Sequence, residues 1–324
     1  MCEQAGFSCL WHSNERFYRE MWIRMAVAAM SSERIGIGGA VADPFSVHPL
    51  INAQSLATLA ELSNGRATLA IGAGGSGFQM MGIKRSQSAA ALKDTVSIIR
   101  PALRGEVVDY TGEVIQAHQA RIQFAPVALA DLWIATRGDK TLEVAGEVAD
   151  GAIIATYADP NSIGEALQLV EKGATRSGRS LKDLRLMSRV DTCVHEDQMA
   201  AYKGARLMIA KLLWASYPDR RFVQRMGLTV PEAIESKLAE RKYELIEEVA
   251  GEVPDDFVSQ MSWSGTPEIV AERVASIVSA TEVREIGFWI LPAPGQSLQT
   301  AINTVATMVI PRVRTLLNQD RGRN

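Results

Sequence analysis

Short apolar runs alternate with longer amphipathic ones along the whole chain. The runs Phe7–His12, Ile35–Ala42, Ala67–Gly72, Leu132–Thr136, Ala152–Thr156, Leu184–Val194 and Ile286–Leu291 read as strands. Within them ATLAI, LWIA and AIIA are apolar at successive positions, the pattern of a parallel strand buried on both faces. Between these runs the spacing becomes helical. Ile163, Ala166, Leu167 and Val170 fall at i, i+3, i+4 and i+7, after Asp159-Pro160. Thr266-Pro267-Glu268 opens another helix with a capping hydroxyl, a first-turn proline and an acid at the positive end.

This alternation predicts an α/β fold around a parallel sheet. Seven strands are visible in the sequence. The opening MCEQA with Gly6 reads as a last helical turn and its C-terminal glycine, which implies a strand ahead of it. Seven and one make the eight of a (β/α)8 TIM barrel. The expectation is a single barrel domain over 1–324 that lacks its first strand and most of its first helix, so that Met1 is not the natural start. Two stretches interrupt the alternation. Residues 106–130 read as a short extended excursion, and about 196–263 as a charged helical insertion. Loops after barrel strands build the active site, so the insertion either roofs it or is a solvated helical pair.

Composition narrows the function. The 324 residues are 47% apolar and 22% charged, which excludes disorder as the main state. Net charge is 34 − 37 = −3, without a basic footprint for nucleic acid. No apolar run approaches the roughly 18 residues that span a bilayer. Cys2, Cys9 and Cys193 show neither metal-ligand spacing nor a disulfide framework, and the four histidines are scattered. The expectations are a cytoplasmic protein with no metal, no nucleic-acid partner and no membrane.

Four stretches carry candidate chemistry, each placed after a strand. Leu10-Trp11-His12-Ser13-Asn14-Glu15-Arg16-Phe17-Tyr18 ends the first strand in a polar and aromatic cluster, which suits either a site or a subunit contact. Ala40-Val41-Ala42-Asp43-Pro44 leads into a loop ending at His48-Pro49, where Asp43 and His48 could equally well only bond backbone. Gly72-Ala73-Gly74-Gly75-Ser76-Gly77 is a literal GxGxxG. It follows the third strand, and the acid about 20 residues on, Asp94, falls in a helical pattern and not at a strand end, which weighs against a Rossmann site and leaves a purely structural turn as a further alternative. Its glycines would let a flat ring or a phosphate approach the backbone. Thr136-Arg137-Gly138 runs into a helix whose N-terminal N–H groups suit an anion, or is an ordinary turn.

These motifs occur in one order: EQAGFSCLWHSNERFYRE, IGIGGAVADPFSVHP, LATLAELSNGRATLAIGAGGSGFQMMGI and IATRGDKTLEVAGEVADGAI. In that order the chain resembles the bacterial luciferase-like oxidoreductases, and within them the methylenetetrahydromethanopterin reductase branch, which uses the deazaflavin coenzyme F-420. The resemblance covers residues 3–156 densely and the rest thinly. It implies a TIM barrel with a deazaflavin at the C-terminal strand ends, and commonly a homodimer. It implies a non-proline cis peptide at Ala40-Val41. Ala40, Val41 and Ala42 would back the ring, Gly72, Ala73, Gly74 and Gly75 would lie beside the cofactor, and Arg137 and Gly138 near its phosphate. Family members often carry Asp-Glu where this chain has Asn14-Glu15, and Asn carries no charge. Glu15 is then the catalytic acid or charge partner, with Asn14 and His12 beside it. The implied activity is hydride transfer between coenzyme F-420 and a small organic substrate, on a CH–NH or CH–OH donor. The alternatives are an FMN-dependent monooxygenase and a cofactor-binding protein without turnover.

Overall fold

The computed structural model describes residues 1–74, 77–124 and 130–321. They divide into two compact units: Met1–Ile153 with Gln168–Arg185, and Ile154–Leu167 with Leu186–Asn324.

The first unit opens with a single turn. Gly6 is left-handed at φ +82°, and Phe7 N–H bonds back to Cys2 O at 3.2 Å, the closure of a helix C-terminus. Glu3 accepts the N–H groups of Glu33, Arg34 and Ile35 at 3.2, 2.7 and 2.8 Å, and these bonds hold its carboxyl below the usual range. Strand β1 (Cys9–Ser13), helix α1 (Met21–Met30), β2 (Gly36–Ala42), α2 (Pro49–Leu62), β3 (Ala67–Ile71) and α3 (Ser88–Leu103) follow. The expected excursion is an antiparallel pair, β4 (Val108–Thr111) and β5 (Gln116–Ala120). Then come β6 (Leu132–Thr136), α4 (Asp139–Val148) and β7 (Gly151–Ala155), along which the chain leaves this unit. Strands β1, β2, β3 and β6 pair side by side, all parallel.

Residues paired across parallel strands share a face. His12, Gly39 and Leu69 form one such row. A Cβ on Gly39 would lie 3.0 Å from the sulfurs of Met21 and Met25, so this face packs on α1. Trp11 and Gly38 form the next row, on the opposite face, and the Trp11 ring occupies the space above Gly38. Arg66 ties the elements together from below. Its guanidinium donates to the Ala29, Ser32, Ile35 and Ser63 carbonyls, which end α1, open β2 and end α2. Asp94 in α3 accepts Tyr110 Oη–H at 2.9 Å and the Val114 and Ile115 N–H groups at 2.8 and 3.0 Å. Its carboxylate anchors the hairpin and is not free for a ribose.

Helix α5 (Pro160–Arg176) runs from the second unit back into the first. The second unit continues with β8 (Arg185–Val194), α6 (Gln198–Ser216), α7 (Arg221–Arg225), α8 (Glu232–Ala239), α9 (Ile246–Glu252) and α10 (Asp255–Met261). Next are β9 (Ser262–Gly265), α11 (Pro267–Ala280), β10 (Glu285–Ile290), α12 (Leu298–Thr304) and α13 (Ile310–Arg321), the last two joined through one π turn, Val305–Val309. Strand β8 pairs parallel with both β10 and β9. All seven strands expected from the sequence are present. Strand β9 was not expected: Ser262-Trp263-Ser264-Gly265 is too short for alternation to show, and pairing with Asp191–Val194 makes it a strand. Among the described residues no helix is long and apolar enough to cross a membrane, and no cluster of His, Cys, Asp and Glu could hold a metal.

Two glycines of α5 have opposite surroundings. A Cβ on Gly173 would fall 1.7 Å from the Glu143 carbonyl oxygen of α4, whereas Gly164 has nothing within 4 Å. Gly173→Ala is expected to cost about 2 kcal/mol or more, because backbone cannot give way. Gly164→Ala should stabilise by about 0.5–1 kcal/mol through helix propensity. Urea unfolding of the two variants checks the opposite signs.

Candidate functional site

The end of β2 departs from regular pairing. The β2–β3 register runs from Ile37↔Ala67 to Ala40↔Ala70 and then slips, so that Ala42 faces Ile71 and Val41 is an extra residue. The Ala40–Val41 peptide is cis, where the resemblance implies one. Three successive carbonyls at this bulge find donors from neighbouring strand ends. Ala40 O accepts Asn14 N–H at 3.3 Å, Val41 O accepts Asn14 Nδ2–H at 3.2 Å, and Ala42 O accepts Gly72 N–H at 3.0 Å. Gly72 is constrained to be small: a Cβ there would lie 3.1 Å from both Val41 methyl groups and 3.0 Å from Ala135 O. Asn14, Ala40, Val41, Ala42 and Gly72 thus meet at the C-terminal ends of β1, β2 and β3. The end of β6 adjoins them through Ala135.

The glycine loop is held from outside by two arginines. Arg16 pairs with Asp43, their side chains only 9% and 1% exposed, and its guanidinium lies 3.6 Å from the Phe78 ring centroid. Arg85 lies over the same ring at 4.8 Å and donates to Ala73 O at 3.3 Å and Gly74 O at 2.7 Å. Burial and the nearby Arg16 lower the Arg85 pKa, although a guanidinium stays protonated. Asp43 also accepts the Phe45 and Ser46 N–H groups at 2.9 and 2.8 Å and Ser46 Oγ–H at 2.6 Å. Gly74 is left-handed at φ +74°, and a Cβ there would fall 2.6 Å from Phe78 and 2.9 Å from Arg16. Gly75 lies outside the described residues.

The remaining expected residues scatter. His12 turns to the α1 face of the sheet, the opposite side from Trp11, and its Nε2 finds no partner among the described residues. Burial, with Arg24 nearby, depresses its pKa to about 4, so the imidazole is neutral at physiological pH. Glu15 is exposed on the loop after β1. His48 caps α2, accepting Leu50 N–H at 3.2 Å through Nδ1, with Nε2 2.9 Å from Gln116 O. Gly138 is the N-cap of α4, which has no side-chain cap, and Arg137 is half-buried between β6 and that helix. Phe78 and Arg85 have no role in the sequence reading. An arginine just beyond a glycine loop was the only available signal.

The model of the family described as luciferase-like monooxygenase matches residues 1–283. The chain belongs to that family. Among curated relatives, this family member is 27% identical to the 5,10-methylenetetrahydromethanopterin reductase of Archaeoglobus fulgidus, over 97% of this chain and 94% of that one. It is 25% identical to an F-420-dependent glucose-6-phosphate dehydrogenase of Nakamurella multipartita, over 89% of this chain and 80% of that one. Among solved structures, the coenzyme F-420-dependent tetrahydromethanopterin reductase of Methanopyrus kandleri superposes with a TM-score of 0.84 at 23% identity, over 96% and 93% of the two chains. The fold is therefore the α/β, TIM-barrel-like luciferase fold.

Two outcomes test this geometry. Gly74→Val should lower the melting temperature, because its φ is positive and the Cβ position is already occupied. The same change in an open ring-side loop would leave stability nearly untouched. His12 should stay neutral down to about pH 4 in an imidazole NMR titration. Titration near its ordinary value would mean that it faces solvent.

Proposed function

We propose that this luciferase-like oxidoreductase uses coenzyme F-420 and transfers a hydride between the deazaflavin and a small organic substrate. The observation that carries the reading is the wall at the end of β2. Ala40, Val41 and Gly72 offer small side chains, and every bulge carbonyl is already bonded, so a flat ring can lie against them without competing for a donor. The similarity to the F-420-dependent glucose-6-phosphate dehydrogenase named above supports coenzyme F-420.

When bound, the deazaflavin supplies the hydride chemistry at C5 of its ring. The chain's own residues do the rest. Ala40, Val41, Ala42 and Gly72 back the ring. Arg85 and the Arg16–Asp43 pair fix the Ala73–Gly74 turn beside it. Arg137 and the N-terminus of α4 suit a phosphate. Glu15 is the acid or charge partner at the rim, and Asn14 braces the wall.

Purified protein should bind coenzyme F-420 with a fluorescence change and bind FMN more weakly. Tight FMN binding without F-420 binding would replace this reading with a monooxygenase. Binding of F-420 with no reduction by any CH–OH or CH–NH donor would leave a cofactor-binding protein. We also propose a homodimer. Ile23, Val27 and Met30 form an exposed, uncharged stripe at i, i+4 and i+7 of α1, which a second copy would cover. Sedimentation should give twice the mass of one chain, and Val27→Asp should give one chain's mass with the fold retained.

A further inference from the structure

Asn14 contacts the β2 bulge twice. Its backbone N–H donates to Ala40 O at 3.3 Å and its side chain donates to Val41 O at 3.2 Å. A carbonyl oxygen only accepts, so the amide nitrogen is the end of Asn14 that faces Val41. The side chain is half-buried, which limits replacement of this bond by water.

We propose that Asn14 is a positioning residue whose side-chain amide holds the Val41 carbonyl, so that the bulge keeps one shape over a pH range in which a carboxyl at this position would titrate. The inference rests on the reading of Ala40–Ala42 as the ring-side wall. An amide has no titrating proton. A carboxylate in its place would set an oxygen against an oxygen, and only the protonated acid could donate. The charged and titratable groups around Asn14 do not provide such a switch. Arg24 of α1 donates to Ser13 O, Arg16 is paired with Asp43, and Arg85 is committed to the Ala73 and Gly74 carbonyls. Glu15 is exposed, and His12, whose row with Gly39 faces α1, is neutral above about pH 4. Asn14 thus acts through geometry and takes no proton.

The test compares wild type, Asn14→Asp and Asn14→Leu between pH 5 and pH 8. In Asn14→Asp the folded state favours the protonated acid, so its folded pKa rises above the reference of about 3.9. The stabilisation is complete below that reference and is lost as pH rises through the folded pKa. The melting temperature of Asn14→Asp relative to wild type should therefore fall as pH rises, while that of Asn14→Leu is offset by a constant amount. His12 contributes equally to all three proteins and cancels in the difference. Affinity for coenzyme F-420, titrated by fluorescence at a temperature where each protein is folded, should follow the same pattern. Asn14→Asp should bind about tenfold or more weakly at pH 8 than at pH 5, relative to wild type, and Asn14→Leu should be weaker by a pH-independent factor.

If Asn14→Asp follows wild type at every pH in both measurements, the proposal is overturned. If only the melting temperature shifts and affinity follows wild type, the contact is structural and the positioning role is overturned. If wild type binds no coenzyme F-420 but the melting shift appears, the contact to Val41 stands and the ring-wall reading fails.

Discussion

At the end of β2, three successive carbonyls must be satisfied where the regular ladder has broken down. A buried peptide oxygen left without a donor costs about 1–3 kcal/mol, so the bulge exists only if neighbouring strands supply donors. Asn14 supplies two and Gly72 supplies the third. This requirement fixes how the ends of β1 and β3 stand against β2. It also explains the small residues there, since a Cβ on Gly72 would meet both the Val41 methyls and the Ala135 carbonyl.

Around that bulge the structure spends its charges on shape. Arg16, Asp43 and Arg85 are bound to one another, to Phe78 or to loop carbonyls. Arg66 closes the opposite ends of the same elements by donating to carbonyls that end helices and open a strand. A half-buried guanidinium that satisfies several carbonyls is a rigid fastener, because its donors form a planar fork. The consequence is a bulge whose three carbonyls are already hydrogen-bonded by Asn14 and Gly72.

The sequence determined most of the secondary structure and the order of the site. Runs such as ATLAI and LWIA specify strands buried on both faces, and proline and threonine caps specify helix starts, because these preferences are local. The family resemblance also implied the cis peptide at Ala40–Val41, which the structure has. What the tertiary structure decided is which face each residue takes and whom it touches. His12 and Trp11 are adjacent in sequence, yet the pleat sends one to helix α1 and the other over Gly38. Asp94 resembled a ribose acid by spacing and is a hairpin anchor by contact. Strand β9 has no periodicity of its own and is a strand only because β8 pairs with it. Asn14 reads in sequence as a lost acid. It becomes a donor only when the bulge, 27 residues away, brings the Val41 carbonyl to its side chain. Hydrogen-bond partners across such separations follow from packing, and no local pattern encodes them.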